Sequence, residues 1–241
     1  MDKVAVYAGT RNLYEQMYVC LKSLLVNTQM DRVYLFIEDD KFPYPVPENV
    51  HPMNVSEQEY FLPGSPNFSS PWSYMDMLRC SLGEMLPDEK FILWLDCDTI
   101  VDEDISDLFA IDMRGYYYAA VIEPSKSKDI FRYVNVGVTL CNLDLLRAWQ
   151  KENEMISFLN VCKFTLPGQD VINLLCQGRI RLIDSIYNAN PFTMQCHRPK
   201  IIHYAAQKEF KDDWAYKKYE ELDITMNGVS DITNENNSNI L

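Results

Sequence analysis

The chain has 241 residues, 47% of them hydrophobic, and a formal net charge of −13 at pH 7. This hydrophobic content can bury one substantial core, so we expect one domain over residues 1–226. The acidic balance argues against binding to nucleic acid and to anionic lipid surfaces, because both carry like charge.

The first elements form a βαβ pattern. The segment KVAVYA, Lys3–Ala8, is short, apolar and β-branched, which is typical of a strand, and the polar turn Gly9–Asn12 follows it. Apolar residues then recur at helical spacing from Tyr14, and Arg32–Glu38 returns to strand character. Proteins built this way bind ligands at the carboxyl ends of the strands, so we expect the turn at 9–12 to line the site.

The rest of the chain alternates between strands and helices. Residues 43–71 are rich in proline and predict a long irregular connection. Periodicity predicts helices over 74–86, over 144–159 and from about 169, and strands over 91–95, 117–122, 134–143, 179–184 and 201–204. The alternation predicts an α/β fold with a largely parallel sheet. Residues 227–241, rich in Asn, Ser and Asp, predict a disordered tail.

Cysteine usage and the N-terminus indicate a compartment. The seven cysteines lack paired Cys-x-x-Cys spacing and fall mostly in apolar segments, as free thiols in a reducing compartment do. The N-terminus enters a strand pattern at once, without the regions of a signal peptide, and apolar runs stay well short of the ~20 residues of a membrane-spanning helix. The sequence therefore predicts a cytoplasmic protein without membrane insertion, in its own cell or in an infected host cell.

The segment LWLDCDTIV, Leu93–Val101, carries the sharpest chemical signal. An apolar strand ends in Asp96 and Asp98, which point the same way and repel each other unless a proton or a cation neutralises them. Such oxygen ligands suit Mg²⁺ or Mn²⁺. His203 ends a second apolar strand as a candidate third ligand, and Lys208 follows it as a cation suited to a diphosphate. The alternatives are an acidic loop cap, a hydrogen-bonded core histidine and a solvated lysine.

These segments resemble glycosyltransferase family 8, whose members are retaining glycosyltransferases with a GT-A fold. The resemblance extends from Val4 to about Phe210, and LWLDCDTIV matches the family's metal-binding motif. AGTRNLY resembles the family's nucleoside motif, and SYMDMLRCSLGEMLP resembles the stretch with an arginine near the sugar. VNVGVTLCNLD resembles the sugar-contact motif, and PGQDVIN resembles the segment beside the reacting carbon. IIHYAAQKEF resembles the segment that binds the diphosphate end. The resemblance implies a single mixed, mostly parallel sheet flanked by helices.

The resemblance also assigns roles to residues. Those implied to bind the donor or its metal are Ala8, Thr10, Asn12, Tyr14, Arg79, Asp96, Cys97, Asp98, Asn135, Gly137, His203 and Lys208. Asp96, Asp98 and His203 would hold the metal, and Gln169 and Asp170 are the catalytic candidates. The chain departs from the family pattern at Thr10 and Gly168, each in place of an Asp, and at Ala206, Glu209 and Phe210 in place of Gly, Pro and Trp.

The function so implied is the metal-dependent, retaining transfer of a hexose from a UDP-sugar, with Mn²⁺ or Mg²⁺ as cofactor. Lysines near the C-terminus are diluted by acids, which favours a soluble acceptor such as a glycan, a sugar or a protein. The alternatives are a metal-dependent nucleotidyltransferase, which also uses an Asp-x-Asp pair, and a nucleotide-sugar-binding protein without turnover, which Gly168 favours. The sequence indicates no particular oligomeric state.

Several site candidates have simpler interpretations. Asp170 suits the N-terminal turn of a helix, where an acid is favoured by the helix dipole. Asn135 is equally an edge-strand polar group with its hydrogen bonds satisfied, and Arg79 a surface cation on a helix. Three aromatic residues near the Pro-rich loop either stack on sugar or uracil or pack the loop against the core: Phe68, Trp72 and Tyr74.

Overall fold

The computed structural model describes residues 1–127, 131–205, 207, 210–222, 224–225 and 228–229. Its strands are β1 (Val4–Ala8), β2 (Arg32–Ile37), β3 (Val50–Asn54), β4 (Phe91–Leu95), β5 (Thr99–Val101), β6 (Tyr118–Ile122), β7 (Val134–Asn142), β8 (Ile180–Leu182), β9 (Ile201–His203), β10 (Ile224–Thr225) and β11 (Gly228–Val229). The α-helices are α1 (Tyr14–Asn27), α2 (Ser73–Met77), α3 (Leu82–Met85), α4 (Leu143–Ala148), α5 (Lys151–Val161), α6 (Pro167–Leu175) and α7 (Trp214–Glu220). Short 3₁₀ helices cover Arg11–Leu13, Leu78–Cys80, Ser106–Ala110, Ser185–Tyr187 and Phe210–Asp212.

A seven-stranded sheet organises the fold, with strand order β3-β2-β1-β4-β7-β6-β8. Strands β3, β2, β1 and β4 run parallel, β7 is antiparallel to both β4 and β6, and β8 is parallel to β6. The prediction of a mixed, mostly parallel sheet flanked by helices is therefore confirmed. The expected tail at 227–241 lies outside the described residues except for Gly228–Val229, which pairs with Ile224–Thr225.

Both faces of the central strands β1, β4 and β7 are buried. In β1, Ala5 and Tyr7 belong to the core cluster that includes residues of α1, while Val4 and Val6 belong to the cluster that includes residues of α6. Every residue of β7 is buried, as expected for a strand covered by helices on both faces. This burial holds the strand ends in place, and the candidate site is built from those ends. Within the described residues, no helix is both long and apolar enough to cross a membrane.

Three elements differ from the sequence prediction. The stretch expected to be irregular contains β3, which among the described residues pairs only with β2, at the edge of the sheet. Pro52 costs little there because an edge strand needs fewer hydrogen-bond donors. The helix expected over 74–86 is broken at Ser81, whose hydroxyl donates to the Leu78 carbonyl at 3.1 Å. The helix expected over 144–159 is divided at Gln150, which has a left-handed backbone with φ of 50°.

Candidate active site

The acidic turn lies between two strands that belong to different sheets. Asp96, Cys97 and Asp98 connect β4 to β5, and the turn closes through a Thr99 N–H that donates to the Asp96 carbonyl at 3.2 Å. The Asp96 N–H donates to the Gly137 carbonyl of β7 at 2.8 Å. Both carboxylates are thus anchored at a buried strand end, as the apolar sequence before them predicts.

Strand β9 brings His203 to the same place. Its pairing with β5 sets Thr99 opposite His203, and the Tyr204 N–H donates to the Asp98 carbonyl at 2.9 Å. His203 Nε2 lies 3.3 Å from Asp98 Oδ1 and 3.8 Å from Asp96 Oδ2. One ligand atom from each of the three residues lies within 4.8 Å of the others. Two carboxylates and one imidazole at this spacing fit a divalent cation such as Mn²⁺ or Mg²⁺.

A buried asparagine fixes the orientation of the imidazole. His203 Nδ1 lies 2.9 Å from Asn188 Oδ1, and an amide oxygen only accepts, so this nitrogen carries the proton. Nε2 therefore faces Asp96 and Asp98, and in the neutral ring it presents the lone pair that a metal ligand requires. Asn188 is itself held by a bond from its Nδ2 to Asn135 Oδ1 at 2.9 Å. Sequence reasoning missed Asn188, since an isolated asparagine in a loop gives no signal.

The carboxylates also set the charge state of the histidine. Burial lowers the pKa of His203, but the neighbouring Asp98 and Asp96 carboxylates outweigh burial and the pKa is raised. The site thus favours a positive charge at this point. A metal cation would take the place of that proton and leave the ring neutral.

Arg79 joins the metal cluster to the rest of the site. Its guanidinium is buried, donates to Asp76 Oδ1 at 2.6 Å and to Asp96 Oδ1 at 2.9 Å, and stacks over Trp94 at 4.7 Å. Trp94 Nε1 donates to the same Asp96 oxygen at 2.8 Å. Arg79 is therefore a fixed internal cation, which rules out the interpretation as a surface charge on a helix. Trp94 and Asp76 are parts of the site that the sequence did not single out.

Two cavities meet at this cluster. The first, of about 350 Å³, includes His203, Asn135, Gln169, Glu123 and Phe192 in its wall. The second, of about 370 Å³, includes Ala8, Thr10, Asn12, Cys97 and Phe210. Five residues line both cavities: Trp72, Asp76, Arg79, Asp96 and Asp98. The shared acidic boundary between two cavities suits a ligand with two parts joined by a charged group.

The loop predicted to receive the nucleoside borders the second cavity. Ala8, Thr10 and Asn12 line it, and the Thr10 hydroxyl donates to Asn12 Oδ1 at 2.6 Å. Tyr14 lies behind the loop, where its hydroxyl accepts from the Glu38 N–H at 2.7 Å and donates to Asp39 at 3.1 Å. Tyr14 thus supports the loop from outside the cavity wall.

Gln169 and Asp170 face different surroundings. Gln169 lines the first cavity, where its Nε2 donates to the Tyr133 hydroxyl at 3.2 Å and to Glu123 Oε2 at 3.4 Å. Asp170 accepts from the Tyr133 hydroxyl and from the N–H groups of Thr165 at 3.1 Å and Leu166 at 2.8 Å. Asp170 does not line either cavity.

Five other candidate residues were singled out from the sequence. Gly137 packs directly against the His203 ring. Phe68 and Tyr74 stack on each other, with ring centroids 5.3 Å apart, and pack with the core, while Trp72 lines both cavities. Lys208 lies outside the described residues.

Comparison with known proteins supports this architecture. The profile of "Glycosyl transferase family 8" matches residues 6–215. The glycosyltransferase GlyA of Streptococcus pneumoniae serotype 4 is 26% identical over 251 aligned residues, which cover 91% of this chain and 34% of GlyA. The chain thus spans about a third of the length of this curated relative.

Solved structures show the same fold. The glycosyltransferase GlyE of Streptococcus pneumoniae TIGR4 superposes with a TM-score of 0.70 at 18% identity, over 92% of this chain and 61% of GlyE. The galactosyltransferase LgtC, solved in complex with donor and acceptor sugar analogs, superposes with a TM-score of 0.64 at 17% identity, over 90% of this chain and 95% of LgtC.

The sheet order and these neighbours define the class of the protein, a GT-A glycosyltransferase fold. Because the family profile matches most of the chain, the chain belongs to glycosyltransferase family 8, a family of transferase enzymes. Members of GT-A families use a divalent metal and a nucleotide-sugar donor, and the cluster of Asp96, Asp98 and His203 is the candidate metal site. Family membership sets aside the nucleotidyltransferase alternative.

Proposed function

We propose that the chain transfers a hexose from a UDP-sugar to a soluble acceptor, with retention of the anomeric configuration and with Mn²⁺ or Mg²⁺ bound by Asp96, Asp98 and His203. The observation that carries this proposal is the position of the three ligands at the junction of two cavities. A nucleotide sugar has its diphosphate between nucleoside and sugar, so it would place the diphosphate at the junction.

The two cavities would hold the two ends of the donor. The uridine would lie in the second cavity, against Ala8, Thr10 and Asn12, whose backbone and side chains offer polar contacts to a base and ribose. The hexose would lie in the first cavity, against Asn135 and Gln169. The acceptor would enter the first cavity from its open side, past Phe192, which is 48% exposed and offers an aromatic face to a sugar ring.

The bound cation would neutralise the diphosphate and favour the negative charge that develops on it as it leaves. The bond between the anomeric carbon and the diphosphate oxygen breaks with its electron pair going to UDP. The acceptor oxygen bonds to the anomeric carbon on the same face, and its proton passes to the departing diphosphate oxygen. Gln169, held by Tyr133 and by the Val136 N–H at 3.1 Å, is placed to shield the electron-poor carbon.

No side chain at Gly168 can form a covalent bond to the sugar, so the same-face route needs no nucleophile at that position. Arg79 would keep its fixed charge during the step, because Asp76 and Asp96 raise its pKa despite burial. A preorganised charge of this kind lowers the barrier without reorganisation as the step occurs.

A donor screen tests the proposal. UDP-glucose, UDP-galactose, UDP-N-acetylglucosamine and GDP-mannose are each added with Mn²⁺ or with EDTA, and the melting temperature and the release of the sugar are measured. We expect one UDP-sugar to raise the melting temperature in Mn²⁺ and to lose this effect in EDTA. Stabilisation by GDP-mannose alone, or by no donor, would contradict the proposal. Stabilisation without sugar release would favour the nucleotide-sugar-binding protein, which Gly168 keeps as the second candidate.

A further inference from the structure

The carboxylate of Asp76 occupies the space beside Gly168. Asp76 lies on α2, and its Oδ2 accepts a hydrogen bond from the Gly168 N–H at 2.8 Å. A Cβ at position 168 would lie 2.9 Å from the same Oδ2, 2.8 Å from the Asp76 carbonyl and 3.1 Å from Arg79 Nε. Gly168 has no positive φ, so its glycine is required by space and not by backbone conformation.

The side chain of Asp76 faces the two cavities. Its side chain is 18% exposed and lines both cavities, between the metal cluster and Gln169. Oδ1 is fixed by Arg79 at 2.6 Å and Oδ2 by the Gly168 N–H, so both oxygens have defined positions. A carboxylate accepts about four hydrogen bonds, and these two fixed donors use only part of that capacity.

We propose that Asp76 accepts a hydrogen bond from a hydroxyl group of the donor sugar and thereby contributes to donor specificity. Its carboxylate lies where the family pattern has the side chain of residue 168. This inference rests on the proposed function. A sugar hydroxyl is a neutral donor and suits a fixed carboxylate, whereas a diphosphate would be repelled by it. A side chain at position 168 would meet the Asp76 carboxylate as well as the Asp76 main-chain carbonyl, so glycine at this position leaves the room that the carboxylate occupies.

Asp76 also pairs with Arg79, so a test must separate sugar contact from support of that arginine. UDP has the nucleoside and the diphosphate but no sugar. Loss of a sugar contact weakens UDP-sugar and leaves UDP unchanged, while a displaced Arg79 and Asp96 would weaken both ligands. The ratio of the two affinities is therefore the decisive quantity.

The experiment measures the affinity of UDP, UDP-glucose and UDP-galactose by titration calorimetry in Mn²⁺, for the wild-type chain, Asp76→Asn and Asp76→Ala. We expect the better-bound UDP-sugar to lose about tenfold in affinity in both variants, with UDP changed less than about twofold. Asp144→Asn is the matched control, because Asp144 makes the same i,i+3 pair with Arg147, at 2.8 Å, away from both cavities.

Equal losses for UDP and UDP-sugar, or no loss for either, would overturn the inference while leaving the proposed function in place. Failure of the wild-type chain to bind any of the three ligands would overturn the proposed function itself. Deoxy analogues of the better-bound donor identify the hydroxyl: one analogue should cost the wild type about tenfold and cost Asp76→Asn nothing further. Additive losses at every position would contradict a direct contact.

Discussion

The ring of His203 occupies the space that a side chain at Gly137 would fill. A Cβ on Gly137 would lie 2.7 Å from both ring nitrogens. Gly137 sits in β7 with an ordinary strand conformation, so its glycine serves the approach of the imidazole to the acidic turn. The absence of a side chain at Gly137 therefore leaves the room in which the His203 ring lies beside the acidic turn.

Replacing Gly137 by alanine should therefore displace His203 and weaken Mn²⁺ binding by about tenfold or more, because one of three ligands loses its position. Mn²⁺ affinity is measured by titration calorimetry. Val138→Ala, at the next position of β7, is the control, since it removes buried apolar contacts that do not touch the metal cluster and should lower stability alone. Unchanged Mn²⁺ affinity in Gly137→Ala would show that His203 is not a ligand.

Asn188 should affect metal affinity through His203, although Asn188 is not one of the three candidate ligands. Asn188→Ala removes the acceptor that orients His203 Nδ1, and we expect Mn²⁺ affinity to fall by about 10–100-fold. Asn188→Asp keeps an oxygen acceptor for that proton and should retain more affinity than the alanine variant. The order is checked by the same titration, and equal losses in the two variants would exclude the orienting role.

Substitution of Gln169 should affect both turnover and stability, and substitution of Asp170 should mainly affect stability. Gln169→Ala should lower turnover by about tenfold or more, because its amide faces the first cavity. It should also lower the free energy of unfolding by about 1–3 kcal/mol, because the buried Val136 N–H loses its acceptor. Asp170→Ala should lower the free energy of unfolding by about 1–3 kcal/mol, because three donors lose their acceptor. Turnover and urea unfolding are measured for both variants. A larger loss of turnover in Asp170→Ala at unchanged stability would restore Asp170 as the catalytic residue.

Glu152 should give the stability a pH dependence. Burial raises its pKa from 4.5 to about 7, although the Gly83 N–H favours the charged form. Among the described residues its Oε2 has no hydrogen-bond partner. A carboxyl whose pKa is higher in the folded chain binds an extra proton on folding, so the contribution of Glu152 to stability is complete below about pH 4.5 and is lost as the pH rises through 7.

The expected loss between pH 5 and pH 8 is on the order of 2 kcal/mol. Glu152→Gln should remove this part of the dependence and be more stable than the wild type at pH 8, as urea unfolding at the two pH values would record. Glu154→Gln, at an exposed position of the same helix, should leave it intact. An identical pH dependence in Glu152→Gln and the wild type would show that Glu152 is not the group responsible.

The sequence was most informative for site residues that directly follow a buried strand. The apolar strands before Asp96 and before His203 predicted that these side chains lie at strand ends, and the structure brings Asp96, Asp98 and His203 together. The positions could be predicted because a buried strand has a short apolar pattern and its last residue marks the edge of the sheet. That the three residues bind a metal stays a prediction. The open alternatives for Arg79 were decided only by its contacts with Asp96 and Trp94.

Contacts between distant segments were beyond the sequence. Asp76 and Gly168 are 92 residues apart, and only the structure shows that one fills the space of the other. Asn188 gave no signal because its role depends on one hydrogen bond to His203. Strand β3 was hidden by its proline and by one-sided pairing, which removes the usual strand pattern.

The central claim is that Asp96, Asp98 and His203 hold the cation needed for sugar transfer from a nucleotide donor. The most direct test measures release of UDP from the UDP-sugar that binds best, for the wild type and Asp98→Asn, with Mn²⁺ and with EDTA. We predict release by the wild type in Mn²⁺ only, and a loss of about a hundredfold or more in Asp98→Asn at unchanged melting temperature. Full release in EDTA, or by Asp98→Asn, would contradict the account.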